Sequence, residues 1–135
     1  MIVIDASALL EMLLQTAAAE RLMERALAVS ERLHAPHLLD IEVMQALRRF
    51  AQKQQITQSR ARQALGDFGQ LLIERHAHQP LLPRIWQLRD VMSAYDGTYV
   101  ALAEALSAPL LTCDGRLART HRHRASIELV EIRQP

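Results

Sequence analysis

Four acidic residues, Asp5, Glu42, Asp96 and Asp114, stand where an α/β chain places its chemistry. Asp5 closes the apolar run M-I-V-I-D, and Asp114 follows the apolar run at 109–112. Glu42 and Asp96 each fall in the first turn of a helical pattern. Open parallel sheets bind ligands beyond the carboxyl ends of their strands, and right-handed crossovers return the starts of the following helices to that edge. The four acids are therefore expected to gather there. Carboxylates sharing one cleft raise one another's pKa, a conflict that a hard divalent cation relieves. Mg2+ takes one or two carboxylates directly and completes its shell with water and substrate phosphate; carboxylate oxygens suit Mn2+ equally. Such an ion lowers the pKa of water and stabilises charge on a phosphate and its leaving oxygen. The chemistry implied is phosphodiester hydrolysis, with Asp5, Asp96 and Asp114 around the metal. Glu42 would orient the attacking water or help to hold a second ion.

Taken singly, each acid has a simpler account. Asp5 and Asp114 suit helix N-caps, Ser93 and Asp96 have capping-box spacing, and Glu42 suits the positive end of a helix dipole. Only the joint pattern favours a metal. Asp40 lies two residues before Glu42, about 200° away around a helix, and cannot face the same site. Glu42 shares its face with Gln45, Ala46 and Arg49. Asp67 and Asp90 sit in polar helical surroundings and read as surface charges.

The elements that must carry these acids alternate between strand and helix. M-I-V-I-D is apolar on both faces, as in a buried parallel strand. Helices are expected at about 7–15 and 18–31, the second with Leu22, Ala26 and Val29 on one face. A short strand at 33–35 precedes a helix at about 38–53. A further helix follows Thr57, a plausible cap, and a strand is expected at 73–78. Pro80 and Pro83 open a helix through Trp86 and Leu88. Ser93 opens another that runs to Leu106, residues 109–112 form a strand, 116–120 a short helix and 127–132 an edge strand. This order indicates an α/β fold with a mostly parallel sheet in one domain spanning 1–135.

Composition sets the remaining bounds. The chain has 135 residues, half of them hydrophobic, enough for a core and against disorder. No apolar run reaches the roughly 18 residues of a membrane span, and the N-terminus lacks the pattern of a secretory signal. A lone cysteine, Cys113, excludes an internal disulfide and suits the cytoplasm; it reads as a packed small residue and not a nucleophile. Net charge is only +1, so bulk charge does not announce nucleic acid. Arg116, Arg119, Arg122 and Arg124 nevertheless lie close together, and arginine's planar fork suits phosphate. Arg116, two residues past Asp114, is the leading phosphate contact. Aromatic residues make up 4% of the chain, leaving no evident base-stacking platform. His76 and His78 would share a strand face, but no third nitrogen or sulfur ligand is evident beside them. His121 and His123 belong to a polar loop, and His34 and His37 flank a strand as surface or boundary residues. Trp86 is expected in the core or a dimer interface. Met12, Met23 and Leu27 could form a partner surface, with packing inside the domain preferred.

Four segments resemble the PIN-domain family, and within it the VapC toxins: V-I-D-A-S-A-L-L at 3–10, P-H-L-L-D-I-E-V-M-Q-A-L-R-R at 36–49, Y-D-G-T-Y-V-A-L-A-E-A-L at 95–106 and L-L-T-C-D-G-R-L-A at 110–118. The third and fourth together are the specific part. The resemblance implies a three-layer α/β/α sandwich around a parallel sheet and a Mg2+- or Mn2+-dependent endoribonuclease. It carries the family's acids to Asp5, Glu42, Asp96 and Asp114, and its small hydroxyl residues to Ser7 and Thr112. It also implies a homodimer inhibited by a VapB-like antitoxin. Gln45 departs from the asparagine common in the family. Two alternatives use the same residues: a metal-dependent phosphohydrolase of small substrates, and a non-catalytic RNA- or protein-binding module.

Overall fold

The computed structural model describes residues 1–28 and 32–132. Strand β1 (Ile2–Ile4) is buried along its whole length, which its two apolar faces require, and it sits at the centre of a five-stranded sheet. Its neighbours are β2 (Leu33–Pro36) and β4 (Leu110–Thr112), with β3 (Ile73–His76) and β5 (Ile127–Leu129) at the edges, in the order β3-β2-β1-β4-β5. All four pairings are parallel. The chain builds outward from β1 to β3, then returns to β4 and builds the other way. The reversal between β1 and β4 opens the crevice where sheets of this kind take ligands.

Helices α1 (Ala6–Leu13), α2 (Ala19–Leu27), α3 (Leu38–Gln52) and α4 (Gln58–Gln70) belong to the outward crossovers, whereas α5 (Leu82–Gln87), α6 (Ala94–Leu106) and α7 (Gly115–Ala118) follow the reversal. Right-handed connection puts the two groups on opposite faces. α3 packs on both α1 and α4, and α5 packs on α6, giving three layers. In α6 the run Gly97–Ala103 is buried on every side, because the helix lies between the sheet and α5. A helix apolar all round is a buried helix. Caps set the entry of the helices that leave the functional edge: Asp5 for α1, Ser93 for α6 and Asp114 for α7, with Thr57 opening α4.

Several expectations shift. α2 closes at Leu27, and Val29 lies outside the described residues. The strand expected at 73–78 ends at His76. His78 leaves the sheet, and its Nε2 accepts the Leu38 N–H at 2.8 Å, so the two histidines do not share a strand face. His34 is no boundary residue: it lies within β2 and is buried, which lowers its pKa by desolvation. Trp86 is 67% exposed, with the Arg89 guanidinium 4.4 Å from its ring centroid. Met12 packs on the core, but Met23 and Leu27 stay exposed, so packing within the domain accounts for Met12 alone.

Leu110 is fully buried at the centre of the sheet. Leu110→Ala is expected to cost about 2–5 kcal/mol through lost transfer energy and a residual cavity. Leu72→Ala, at a residue 93% exposed, is expected to cost less than about 0.5 kcal/mol. Urea unfolding of the two variants beside wild type measures both values.

Candidate active site

Asp5 is the last residue before α1 and is 5% exposed. The N–H of Ala8 and the hydroxyl of Ser7 both donate to its Oδ1, at 3.0 and 2.7 Å. The Thr112 hydroxyl donates to its Oδ2 at 2.5 Å. The same two hydroxyls brace the end of β4: the Cys113 N–H reaches Ser7 Oγ at 2.9 Å, and the Asp114 N–H reaches Thr112 Oγ1 at 3.0 Å. Burial pushes the Asp5 carboxyl up to about 6; its three hydrogen bonds pull the other way, and the nearby Asp114 charge adds to the rise.

Asp114 caps α7 through one oxygen only. Its Oδ1 accepts the N–H groups of Arg116 and Leu117 at 2.9 and 3.3 Å, and its Oδ2 lies 3.8 Å from the Arg116 guanidinium. Asp96, half-buried in the first turn of α6, donates its N–H to Ser93 Oγ at 3.1 Å. Its pKa is raised by desolvation and then by the Asp114 charge, and Arg116 counters both. Glu42, half-buried on α3, accepts the Tyr99 hydroxyl at 2.6 Å. Desolvation raises its pKa, Tyr99 opposes the rise, and the Asp96 charge adds to it.

The four acids are therefore linked pair by pair, Asp5 to Asp114, Asp114 to Asp96 and Asp96 to Glu42. Each link raises a carboxyl pKa. They are spaced apart all the same: among the described residues, the only group of three or more whose ligand atoms close to within 4.8 Å is His34, Glu74 and His76. Asp40 is engaged elsewhere, with Arg75 at 2.8 Å, and Asp67 and Asp90 are exposed.

Sequence reasoning passed over Tyr99. This residue is 2% exposed, holds Glu42, and senses Asp5 and Asp96 as well; these influences raise its pKa, burial most of all. Its position three residues after Asp96 puts both on one helical face, a signal present in the sequence. The arginines divide. Arg116 borders the acids, lining with Asp96, Ser93 and Thr120 a small cavity of about 150 Å³. Arg119 lies over Gly115. Arg124 does not join them: its guanidinium is 3.8 Å from Glu104, eight residues along α6 from Asp96 and so roughly 12 Å away at the helical rise. Glu104 also takes Arg84 at 2.8 Å. Cys113 packs beside the core, and burial pushes its thiol up to about 12, which leaves it protonated and unsuited to nucleophilic attack.

The acids thus gather beyond the carboxyl ends of β1 and β4, at the edge where open parallel sheets take ligands. The family model for the PIN domain matches residues 2–122, and the chain belongs to the PIN-domain family. Among curated proteins it is similar to Ribonuclease VapC12 of Mycobacterium tuberculosis, 43% identical over 130 residues that span 96% of this chain and 99% of that protein. Among solved structures it is similar in fold to VapBC2 from Rickettsia felis bound to a DNA fragment from its promoter, with TM-score 0.69 and 14% identity over 96% of this chain and 98% of that one. A toxin–antitoxin complex from Klebsiella pneumoniae matches with TM-score 0.62 and 18% identity, over 88% and 91%.

The raised Asp5 pKa has a definite sign. A carboxyl held at about 6 in the folded chain, against 3.8 ordinarily, contributes stability below pH 4 that is lost as pH rises through 6, a cost at neutrality of about 3 kcal/mol. In chelator-treated protein, Asp5→Asn is therefore expected to melt above wild type at pH 7.5 and to lose that advantage by pH 4. Equal melting temperatures at both pH values would show that Asp5 carries no such burden.

Proposed function

We propose that this chain is a divalent-metal-dependent endoribonuclease, the toxin of a toxin–antitoxin pair, with Asp5, Glu42, Asp96 and Asp114 as its catalytic acids. The observation that carries the assignment is the chain of electrostatic contacts by which Asp114 raises the pKa of Asp5 and Asp96, and Asp96 that of Glu42, in a chain whose relatives are named ribonucleases. PIN-domain nucleases are generally metal-dependent, and the residues here fit such an ion. The donors are all carboxylate oxygens, as hard cations prefer. Among the described residues, Arg116 is the cation that moderates Asp96, one positive charge beside four acids, which leaves net negative charge for an ion to balance. Asp5, Asp96 and Asp114 would hold it, as Mg2+ or Mn2+. When bound it supplies charge stabilisation on the phosphate and the leaving oxygen, and a water more acidic than bulk.

The chain's own groups do the rest. Glu42, with a raised pKa, accepts a proton from the attacking water, and Tyr99 fixes the carboxylate that takes it. Water attacks phosphorus, the bond to the 3′ oxygen breaks, that oxygen takes a proton from solvent, and the products are a 5′-phosphate and a 3′-hydroxyl. Ser7 and Thr112 hold Asp5 in one rotamer. Arg116, exposed and four residues past the end of β4, offers a fork to a substrate phosphate; Arg119 and Arg122 extend the positive surface. A VapB-like antitoxin is one proposed protein partner, a reading supported by the toxin–antitoxin assemblies of similar fold; a second copy of the chain is the other.

Purified, antitoxin-free protein is expected to cleave end-labelled RNA in Mg2+ or Mn2+ and to stop on chelation. Asp5→Asn and Asp96→Asn should abolish cleavage with the circular dichroism spectrum unchanged; full activity in either would sink the assignment. Tyr99→Phe should lower the rate about 10–100-fold, the usual range for a group that orients a catalytic one, with RNA affinity unchanged. Arg116→Ala should instead weaken RNA binding and reduce the slope of log affinity against log salt by about one unit. An unaltered slope would exclude a phosphate contact there.

A further inference from the structure

A second group of potential ligands lies away from the acids, on the β3 side of the sheet. In the β2–β3 register His34 is opposite Glu74, and Pro36 is opposite His76. Residues two apart on a strand share a face, so His34, Glu74 and His76 point the same way. Arg75 points the other way, to Asp40 of α3 and the Phe68 ring of α4. The three residues therefore face the layer of α5 and α6. His34 Nδ1 is 2.9 Å from His76 Nε2 and 3.8 Å from Glu74 Oε2, and ligand atoms of all three lie within 4.8 Å of one another.

Two imidazole nitrogens and one carboxylate oxygen form a donor set for a borderline transition ion, in contrast to the all-oxygen set at the strand ends. A tetrahedral ion with bonds of about 2.0–2.1 Å to nitrogen holds its donors roughly 3.3 Å apart. The observed spacings bracket that value, so the imidazole pair must open slightly and the carboxylate close. Burial is distributed to allow this. The His34 side chain is 5% exposed and held inside the sheet, whereas that of Glu74 is 55% exposed and His76 is half-buried on an edge strand. One ligand is fixed, two can adjust, and an ion can enter from solvent.

We propose that His34, Glu74 and His76 bind one borderline divalent transition-metal ion, of which Zn2+ is the representative, with water completing the shell. The ion ties edge strand β3 to β2 and is chemically separate from the acidic site. The competing account is a plain hydrogen bond between the two imidazoles, which needs no ion.

The test uses untagged, chelator-treated full-length protein titrated with ZnCl2 by calorimetry, with a thermal melt alongside. Wild type and Asp5→Asn are expected to bind one equivalent at this site and to melt higher with zinc, and excess Mg2+ should not compete. His76→Ala and Glu74→Gln should each weaken that binding at least tenfold and abolish the zinc-dependent rise in melting temperature. Both changes sit at partly exposed positions of an edge strand, and Glu74→Gln keeps the side-chain shape, so a folding defect in one variant leaves the other informative. Cobalt-loaded wild type should show visible absorption that His76→Ala lacks. Zinc binding that is absent in wild type, unchanged in both strand variants, or lost in Asp5→Asn while kept in His76→Ala would overturn the proposal.

Discussion

The rest of the functional edge depends on the burial of one carboxylate. Asp5 ends the central strand, where the flanking sheet and helices leave it almost no contact with water. A charge in that position is costly unless hydrogen-bonded, and the chain supplies three donors from two elements: Ala8 and Ser7 from α1, and Thr112 from β4. Those bonds join the start of α1 to the end of the neighbouring strand. The Ser7 and Thr112 hydroxyls then pass the constraint onward to the Cys113 and Asp114 N–H groups. The position of Asp114 thus follows from that of Asp5, although 108 residues of chain connect them.

Capping and catalysis look like competing accounts of these acids when each is taken alone. The geometry makes them compatible. A carboxylate has two oxygens, and an N-cap uses only one. Asp114 gives Oδ1 to the first turn of α7 and leaves Oδ2 facing the Arg116 guanidinium. Asp5 gives Oδ1 to α1 while Oδ2 is oriented by Thr112. Capping sets the rotamer, and a set rotamer aims the remaining oxygen. For Asp96 the cap is Ser93, which accepts its N–H and also holds its carboxylate, lowering the pKa that desolvation raises. The preference of helix starts for these residue types therefore helps to build the acidic edge.

Periodicity and capping chemistry made most of the fold legible. Each strand and helix was placed within a few residues, because the apolar runs are short, the Pro and Ser/Thr signals sharp, and the alternation of strand and helix admits few topologies. Strand order was not legible in the same way: nothing local distinguishes a central strand from its neighbour. What depended on cross-strand register was missed. His34 and His76 lie 42 residues apart and meet only because β2 and β3 pair in one particular alignment. Tyr99 was passed over for a different reason. A tyrosine inside an apolar helix has the appearance of core, and it is core by burial; only its hydroxyl, aimed at Glu42 on another element, separates it from its neighbours. Arg124 is close to Arg116 in sequence, but in space its guanidinium lies beside Glu104.

The strain at Asp5 is bound up with its position. An acid on an exposed loop would keep an ordinary pKa, but long flexible connections would leave its oxygens unaimed. An acid at the end of the central strand is aimed by the sheet itself, yet burial raises its pKa and repulsion from Asp114 adds to the rise. The hydroxyls of Ser7 and Thr112 reduce that cost without removing it, since neutral donors stabilise a carboxylate less than a charged partner does. An arginine at that point would remove the cost by forming a permanent ion pair, and would take up the oxygens in doing so. Arg116 is instead exposed on α7, 3.8 Å from the outer oxygen of Asp114, near enough to moderate Asp96 and too remote to neutralise Asp5. Among the described residues, the buried Asp5 carboxylate is thus hydrogen-bonded but has no paired cation, the condition in which an incoming divalent ion would gain most from binding.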